Sequence, residues 1–479
     1  MLKSFRNYFT SNLLSLLITF LLLPFYTRYL SIEDFGILAL SYVFGNLVAG
    51  VSSISISSAT SRFFYKFKNE KKLDQFAILN TTNLLFLLLV FIFLGILIFN
   101  IRNFLSLNIF KNTLTAEIVF FSYILGCLAR IFSYLMTIFL AQENSKYYSF
   151  FFFLNTFLSN IFSVILIIFF YLKAESRIYA GILAYMILIP AISLSQIKNF
   201  TLKINLDYLK KSISFSYPLM PDVLIGSING AFDKVILNSF LGSFILGLYD
   251  VALKFSNVYK IAIDSLISIW SPFFMNSLEK GKKTNKKISK KYKIITILFF
   301  IFAIGSVTFI EEIIILMTTE SFYTTMFVIP IIIFFIFIAH CVSIIGKGLV
   351  LFTNNNRHMF YSSLLGCILN IILILILISH LKLFGVVIAS GVSSFISVLY
   401  LFIVGKKRVS IRIDLINILI ISSVLIFYII LIFILMKVNL FFAYKILIKF
   451  LLLSIFVLSI LKINNFNFKM FYKNIINEN

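Results

Sequence analysis

The chain has 479 residues, 61% of them hydrophobic and only 13% charged, with 42 Lys and Arg against 18 Asp and Glu for a formal charge of +24. So little polar surface cannot coat a soluble particle of this size, which excludes a soluble enzyme. The cations lie in loops between apolar runs and are not gathered in one domain, so nucleic acid is not a partner.

A bilayer core of about 30 Å takes roughly 20 apolar residues per helix. Runs of that kind fill the sequence at 11–29, 37–59, 77–99, 114–140, 147–171, 178–197, 213–239, 246–270, 294–317, 323–351, 359–380, 383–404, 414–436 and 441–461. They show no alternation over about ten residues, so they read as helices and not as barrel strands. The expected fold is an all-α integral membrane protein of about fourteen transmembrane helices. Lys3 and Arg6 before the first run resemble a signal peptide, but no small-residue cleavage site follows, and the run reads as an uncleaved anchor.

The loops between spans alternate in charge. One set carries Arg62, Lys66, Lys68, Lys71 and Lys72, then Lys198, Lys203, Lys210 and Lys211, then eight lysines between Lys280 and Lys293, then Lys406, Lys407, Arg408 and Arg412. The other set carries only scattered cations, with Glu311, Glu312 and Glu320 after the ninth span. Basic loops stay in the cytoplasm, so both termini are expected there, with membrane lipids as the surrounding partner. The stretch Glu279 to Lys293 reads as a solvated linker that touches anionic head groups, and equally as a joint between two moving halves.

Cys127, Cys341 and Cys367 fall inside spans, and the three histidines have no metal-ligand spacing. Neither a disulfide framework nor a metal is expected. No phosphate-binding glycine loop is present, so no nucleotide cofactor is expected either. The outer loops are too short to house a catalytic site, so the chain does not read as an enzyme.

Shifting the sequence by 211 positions aligns Leu30, Gly36, Phe44 and Asn46 with Leu241, Gly247, Phe255 and Asn257. The same shift places Asn144, Ser145 and Lys146 over Asn355, Asn356 and Arg357. Each match falls at the same step of the span ladder, six spans apart. This divides the chain into residues 1–200 (helices 1–6), 201–405 (helices 7–12) and 406–479 (helices 13 and 14 with a tail). Parallel repeats of this kind bind substrate between the two halves near the midplane.

Three stretches carry a family resemblance. Arg28 to Leu40 (RYLSIEDFGILAL), Asp233 to Gly242 (DKVILNSFLG) with Gly247 to Ala252 (GLYDVA), and Asn370 (NIIL) followed by Gly385 to Ser390 (GVVIAS) resemble signatures of the multidrug/oligosaccharidyl-lipid/polysaccharide superfamily. The likeness covers the first twelve spans and points to Wzx-type flippases of O-antigen and capsule repeat units. It implies two pseudo-symmetric six-helix lobes plus two C-terminal helices. It also implies alternating-access transfer of an undecaprenyl-diphosphate-linked oligosaccharide across the bacterial plasma (inner) membrane, driven by an ion gradient or the membrane potential. A glycan polymerase and a chain-length regulator are the implied protein partners. Siblings that move lipid II or small amphiphiles share the fold. A surface-glycan polymerase is the competing enzyme reading, and the short outer loops weigh against it.

Charged side chains at mid-bilayer cost about 2.5–3.5 kcal/mol each on insertion scales, so each needs a partner or a wet cavity. In span eight Asp250, Lys254, Asn257 and Asp264 share one helical face, with Lys260 beside it. The spacings Asp250–Lys254 and Lys260–Asp264 suit i,i+4 pairing. In span seven Asp222, Asn229 and Asp233 form a second stripe beside Lys234, and in span four Tyr123, Arg130 and Thr137 form a third. Two readings stay open: ion pairs that lock helices together, or a hydrophilic cavity. In the cavity reading Arg28, Arg130, Lys234 and Lys254 hold the diphosphate, with Asn257 on the glycan, and Asp222, Asp233, Asp250 and Asp264 are the candidates for ion coupling. The hydroxyls from Ser52 to Thr60 read as a close-packing seam. Pro24, Pro218 and Pro221 are expected to bend spans one and seven as gates.

Overall fold

The computed structural model describes residues 2–217, 220–280, 284–353, 357–408, 415–438 and 441–463, and all of its regular structure is helical. The chain divides into two compact units, Met1–Asp250 with Met317–Thr319, and Val251–Leu316 with Glu320–Asn479.

The first unit opens with α1 (Leu2–Leu21) and α2 (Leu23–Tyr29), followed by α3 (Ile32–Ser52) and α4 (Ile56–Asn69). Span one therefore breaks at Leu22. Pro24 sits in the first turn of α2, where its missing N–H costs α2 no bond, whereas a continuous helix would lose one to Phe20. Ser31 caps α3 through a reciprocal box: its hydroxyl accepts from the Asp34 amide at 3.2 Å, and Asp34 accepts from the Ser31 amide at 2.8 Å.

Span two also departs from its expected single helix over 37–59. Ile54 and Ser55 take left-handed backbone angles, at φ 46° and 53°. A β-branched residue avoids that region, so the chain stores strain there. The hydroxyls of Ser52 and Ser53 turn back on their own helix, to the carbonyls of Val48 and Gly50. This part of the serine run marks a break, and the tight α3 crossing lies elsewhere. It is made by Gly45, where an added Cβ would run into α6 (Ala116–Ala141) at Ser122.

Between α4 and α6 runs α5 (Leu73–Phe104), which ends in a π-helical turn at Leu105–Ile109. After α6 come α7 (Ser145–Phe170), α8 (Ala174–Ser195) and the short α9 (Leu206–Ser216). Residues 213–216, expected to open span seven, belong to α9 instead. Asn80, Thr81 and Thr82 of α5 and Gln142 after α6 hydrogen-bond the connection from α8 to α9, which holds one 3-10 turn at Ile197–Asn199.

Next comes α10 (Met220–Glu279), 60 residues that would run about 90 Å if straight, three times the bilayer core. It turns back at Gly242, where φ is 82°, a value suited to glycine. The reversal shows in the ion pair between Lys234 and Asp250, whose charged atoms lie 2.7 Å apart across 16 residues of sequence.

The second unit holds the rest of α10, then α11 (Asn285–Thr308), α12 (Ile310–Met317), α13 (Thr325–Phe352), α14 (Arg357–Arg408), α15 (Leu415–Lys437) and α16 (Phe442–Ile463). Its α14 folds back at Lys382, so that Ser362 donates to the Ser397 carbonyl at 2.8 Å and His358 meets the Tyr400 hydroxyl at 2.8 Å. The buried ring of Trp270 stacks on Phe274, and its Nε1 donates to the Ile344 carbonyl at 3.2 Å. Among the described residues twelve helices are long and apolar enough to cross a membrane. Two of the twelve are the folded-back α10 and α14, so the set makes fourteen crossings of an all-α, multi-pass membrane protein.

Candidate functional site: charged groups inside the membrane helices

Within the first unit, Arg28 ends α2 and is exposed. Arg130 sits near the middle of α6, partly buried, with one Nη donating to the Asn46 carbonyl of α3 at 3.4 Å. Its Nε is buried and has no partner. Neither arginine makes an ion pair among the described residues. A guanidinium kept charged and un-neutralised in a membrane helix needs water or an anion beside it.

Lys234 behaves differently. Its ammonium donates to Asp250 at 2.7 Å, with side-chain exposures of 17% and 10%, so two residues assigned to separate roles from sequence cancel each other's charge. Asp233 is buried and Asn229 is partly buried on the same helix. Asp222 lies in the first turn of α10, its side chain outside the described residues, and Pro218 is outside them altogether. Pro221 lies two residues after the last of the undescribed positions, within the described part of α10. The interruption of this helix falls at Gly242.

One arginine escaped the sequence reading. Arg177, in the first turn of α8, donates to the Asn160 side-chain oxygen of α7 at 3.2 Å and lies over the Tyr26 ring of α2 at 4.3 Å. It lies just before the expected sixth span, whose apolar run begins only at Ile178. A short helical extension into the polar flank is invisible to hydropathy.

In the second unit, Lys254, Asn257, Lys260 and Asp264 are exposed along one face of α10, while Phe255, Ser256, Tyr259 and Ile263 are buried on the other. Charged groups on an exposed membrane face line water and not hydrocarbon. Lys260 forms no ion pair among the described residues, and the carboxylate of Asp264 lies 3.7 Å from His340 of α13. The expected i,i+4 pair between Lys260 and Asp264 is thus replaced by a contact between helices.

A second cluster was absent from the sequence reading. Lys449 of α16 is fully buried and bridges Glu311 at 2.6 Å and Glu312 at 2.7 Å, both on α12, while Lys445 adds a 2.6 Å bond to Glu311. Two lysines and two glutamates leave no net charge, and the cluster fastens α16 to α12. Among the described residues no grouping of His, Cys, Asp and Glu is fit to hold a metal ion.

Residues 1–278 match the sequence family described as "Polysaccharide biosynthesis protein". No curated protein matches the chain. Among solved structures, it is similar to the lipid II flippase MurJ in an inward closed conformation, at 16% identity over 99% of this chain and 100% of that one, with a TM-score of 0.73. It is also similar to a multidrug-resistance MATE transporter of the MOP superfamily, facing inward, at 14% identity over 81% of this chain and 94% of that one, with a TM-score of 0.65. The outward-facing form of such a transporter aligns at 14% identity over 85% and 96%, with a TM-score of 0.56.

Proposed function

Because the chain belongs to the polysaccharide biosynthesis protein family, we propose that it is a flippase for undecaprenyl-diphosphate-linked oligosaccharide repeat units used in surface polysaccharide such as O-antigen or capsule. The observation that carries this reading is Arg130: a mid-membrane guanidinium with a bare Nε and no acid beside it. A diphosphate supplies paired oxygens that suit the planar fork of arginine. Arg28 and Lys254 supply further positive charge, and Asn257 offers an amide to the glycan hydroxyls. Lys234 contributes none, because Asp250 neutralises it.

In this reading the protein sits in the bacterial plasma (inner) membrane with both termini in the cytoplasm, where its basic loops lie. The lipid-linked unit enters from the inner leaflet, its diphosphate and sugars pass through a water-lined path, and its polyprenyl tail stays in hydrocarbon. Alternation between inward and outward states moves the unit, with glycan polymerase and chain-length regulator downstream. An ion gradient or the membrane potential supplies the drive, worth about 2.3 kcal/mol per charge per 100 mV. Asp264 beside His340 is the pair best placed to exchange a coupling proton, and Asp233 and Asp222 are the remaining candidates.

The test is deletion of the gene, followed by assay of surface glycan and of lipid-linked units in each leaflet. Loss of surface glycan with units trapped in the inner leaflet, restored by the wild-type gene and at least tenfold less by Arg130→Lys, supports the reading. Units reaching the outer leaflet without polymerisation would identify a polymerase instead. A second reading, flipping of lipid II, is favoured by the match to MurJ over the whole of both chains. It predicts that deletion halts peptidoglycan synthesis and leaves the assembly of other surface glycans intact.

A further inference from the structure

Tyr26, Asn160 and Arg177 come from three helices of the first unit, α2, α7 and α8, and converge on one polar niche. The Tyr26 hydroxyl donates to the Asn160 side-chain oxygen at 3.0 Å, and the Arg177 Nη1 donates to the same oxygen at 3.2 Å. The guanidinium also lies 4.3 Å from the centre of the Tyr26 ring. These partners orient the fork without neutralising it, since an amide oxygen and a phenol ring carry no full negative charge. Glu175, two residues earlier on the same helix, makes no ion pair with it.

Exposure sets the direction in which the niche opens. Tyr26 and Asn160 are 3% and 4% exposed, while Arg177 is only partly buried. Asn160 and Tyr26 hold the fork, Tyr42 of α3 lies beside it, and part of the residue stays exposed. Arg177 is the fourth residue of α8, about 5 Å from the helix end, and in the orientation set by the basic loops this is the outer end. Arg130, by contrast, is the fifteenth residue of the 26 in α6, close to mid-membrane.

We propose that Arg177, oriented by Asn160 and Tyr26, is an oxyanion-binding site on the outer side of the transport path, one step beyond Arg130. The proposal rests on the lipid-linked glycan reading above. That cargo offers the site oxyanions from two sources: the carrier diphosphate on its way out, or a carboxylate borne by a sugar of the repeat unit. A bracing role alone would not need a full positive charge with no acid beside it, which a neutral amide could replace.

The experiment uses the purified full-length protein in neutral detergent and two probes, undecaprenyl diphosphate and an oligogalacturonate, with binding followed by titration calorimetry. Two variants are compared with wild type. Arg177→Gln removes the charge. Asn160→Asp places a carboxylate where the amide oxygen now accepts from Arg177, which neutralises the fork while keeping all three helices bridged. Thermal unfolding of Asn160→Asp should match or exceed wild type, so loss of binding there reports charge and not misfolding. Both variants are expected to weaken one probe at least tenfold. Weakening of undecaprenyl diphosphate assigns the site to the carrier, and weakening of oligogalacturonate assigns it to an acidic sugar. Unchanged affinity for both probes in Asn160→Asp, with wild type binding either, overturns the site alone. Wild-type protein that binds neither probe overturns the flippase reading together with it.

Discussion

Gly36 and Gly247 occupy the two ends of one reciprocal contact. A Cβ on Gly36 would collide with the main-chain carbonyl of Ser243, and a Cβ on Gly247 would collide with that of Ile32. The pairs are related by the same shift of 211 positions that aligns the repeats, since Ile32 corresponds to Ser243 as Gly36 does to Gly247. The residue before each also matches in role: Ser31 caps α3, and its counterpart Gly242 carries the reversal of α10. A self-complementary contact in which i meets j′ and j meets i′ is the mark of a two-fold relation. Here it relates two turns of one chain, and it explains why both positions lack a side chain.

Gly36→Ala and Gly247→Ala should each destabilise the protein by about 1–3 kcal/mol, because the added methyl meets main chain that has no rotamer to escape into. The double variant should cost less than the sum, since the first substitution already forces the turns apart. Denaturant or thermal unfolding of the purified protein measures both. A purely additive pair would show that the two contacts are independent.

Lys449→Met should be among the most damaging substitutions outside the transport path. It leaves two glutamates to the one remaining lysine, Lys445, at a buried site, and breaking a buried pair typically costs about 3–5 kcal/mol. The double variant Lys449→Met, Glu312→Gln, which leaves Glu311 paired with Lys445, should recover much of that loss. Protease resistance of α15 and α16 in membranes reads the effect directly.

The Lys234–Asp250 pair separates structural from transport roles. Asp250→Asn alone should lower the amount of folded protein, because it strands a lysine whose side chain is only 17% exposed. Lys234→Met with Asp250→Leu should restore expression and keep at least about half of transport, as expected of a neutral brace. Transport lost at normal expression would return Lys234 to the list of diphosphate ligands.

Pro24→Ala should slow transport several-fold at unchanged expression. The variant supplies the N–H that proline lacks and allows α1 and α2 to merge, which removes the joint at Leu22. Transport rates in proteoliposomes measure the effect.

The sequence by itself determined the class of the molecule and the ladder of crossings, and it suggested a repeat. Hydropathy is a local property, summed over about 20 neighbouring residues, and the shift of 211 is a comparison of the chain with itself. The same local information named Arg130 as an intramembrane cation. What only the tertiary structure decided was the choice of partners. Asp264 faces His340 and not Lys260, Lys234 reaches Asp250 across a reversed helix, and Lys449 finds Glu311 some 138 residues away. Arg177 became visible only when Asn160 and Tyr26 were brought against it from other helices. The breaks at Leu22 and at Ile54 were hidden because an apolar run reads alike whether its helix is straight or interrupted. Insertion depends on the apolar content of each segment, whereas ion pairs, breaks and niches depend on contacts between segments.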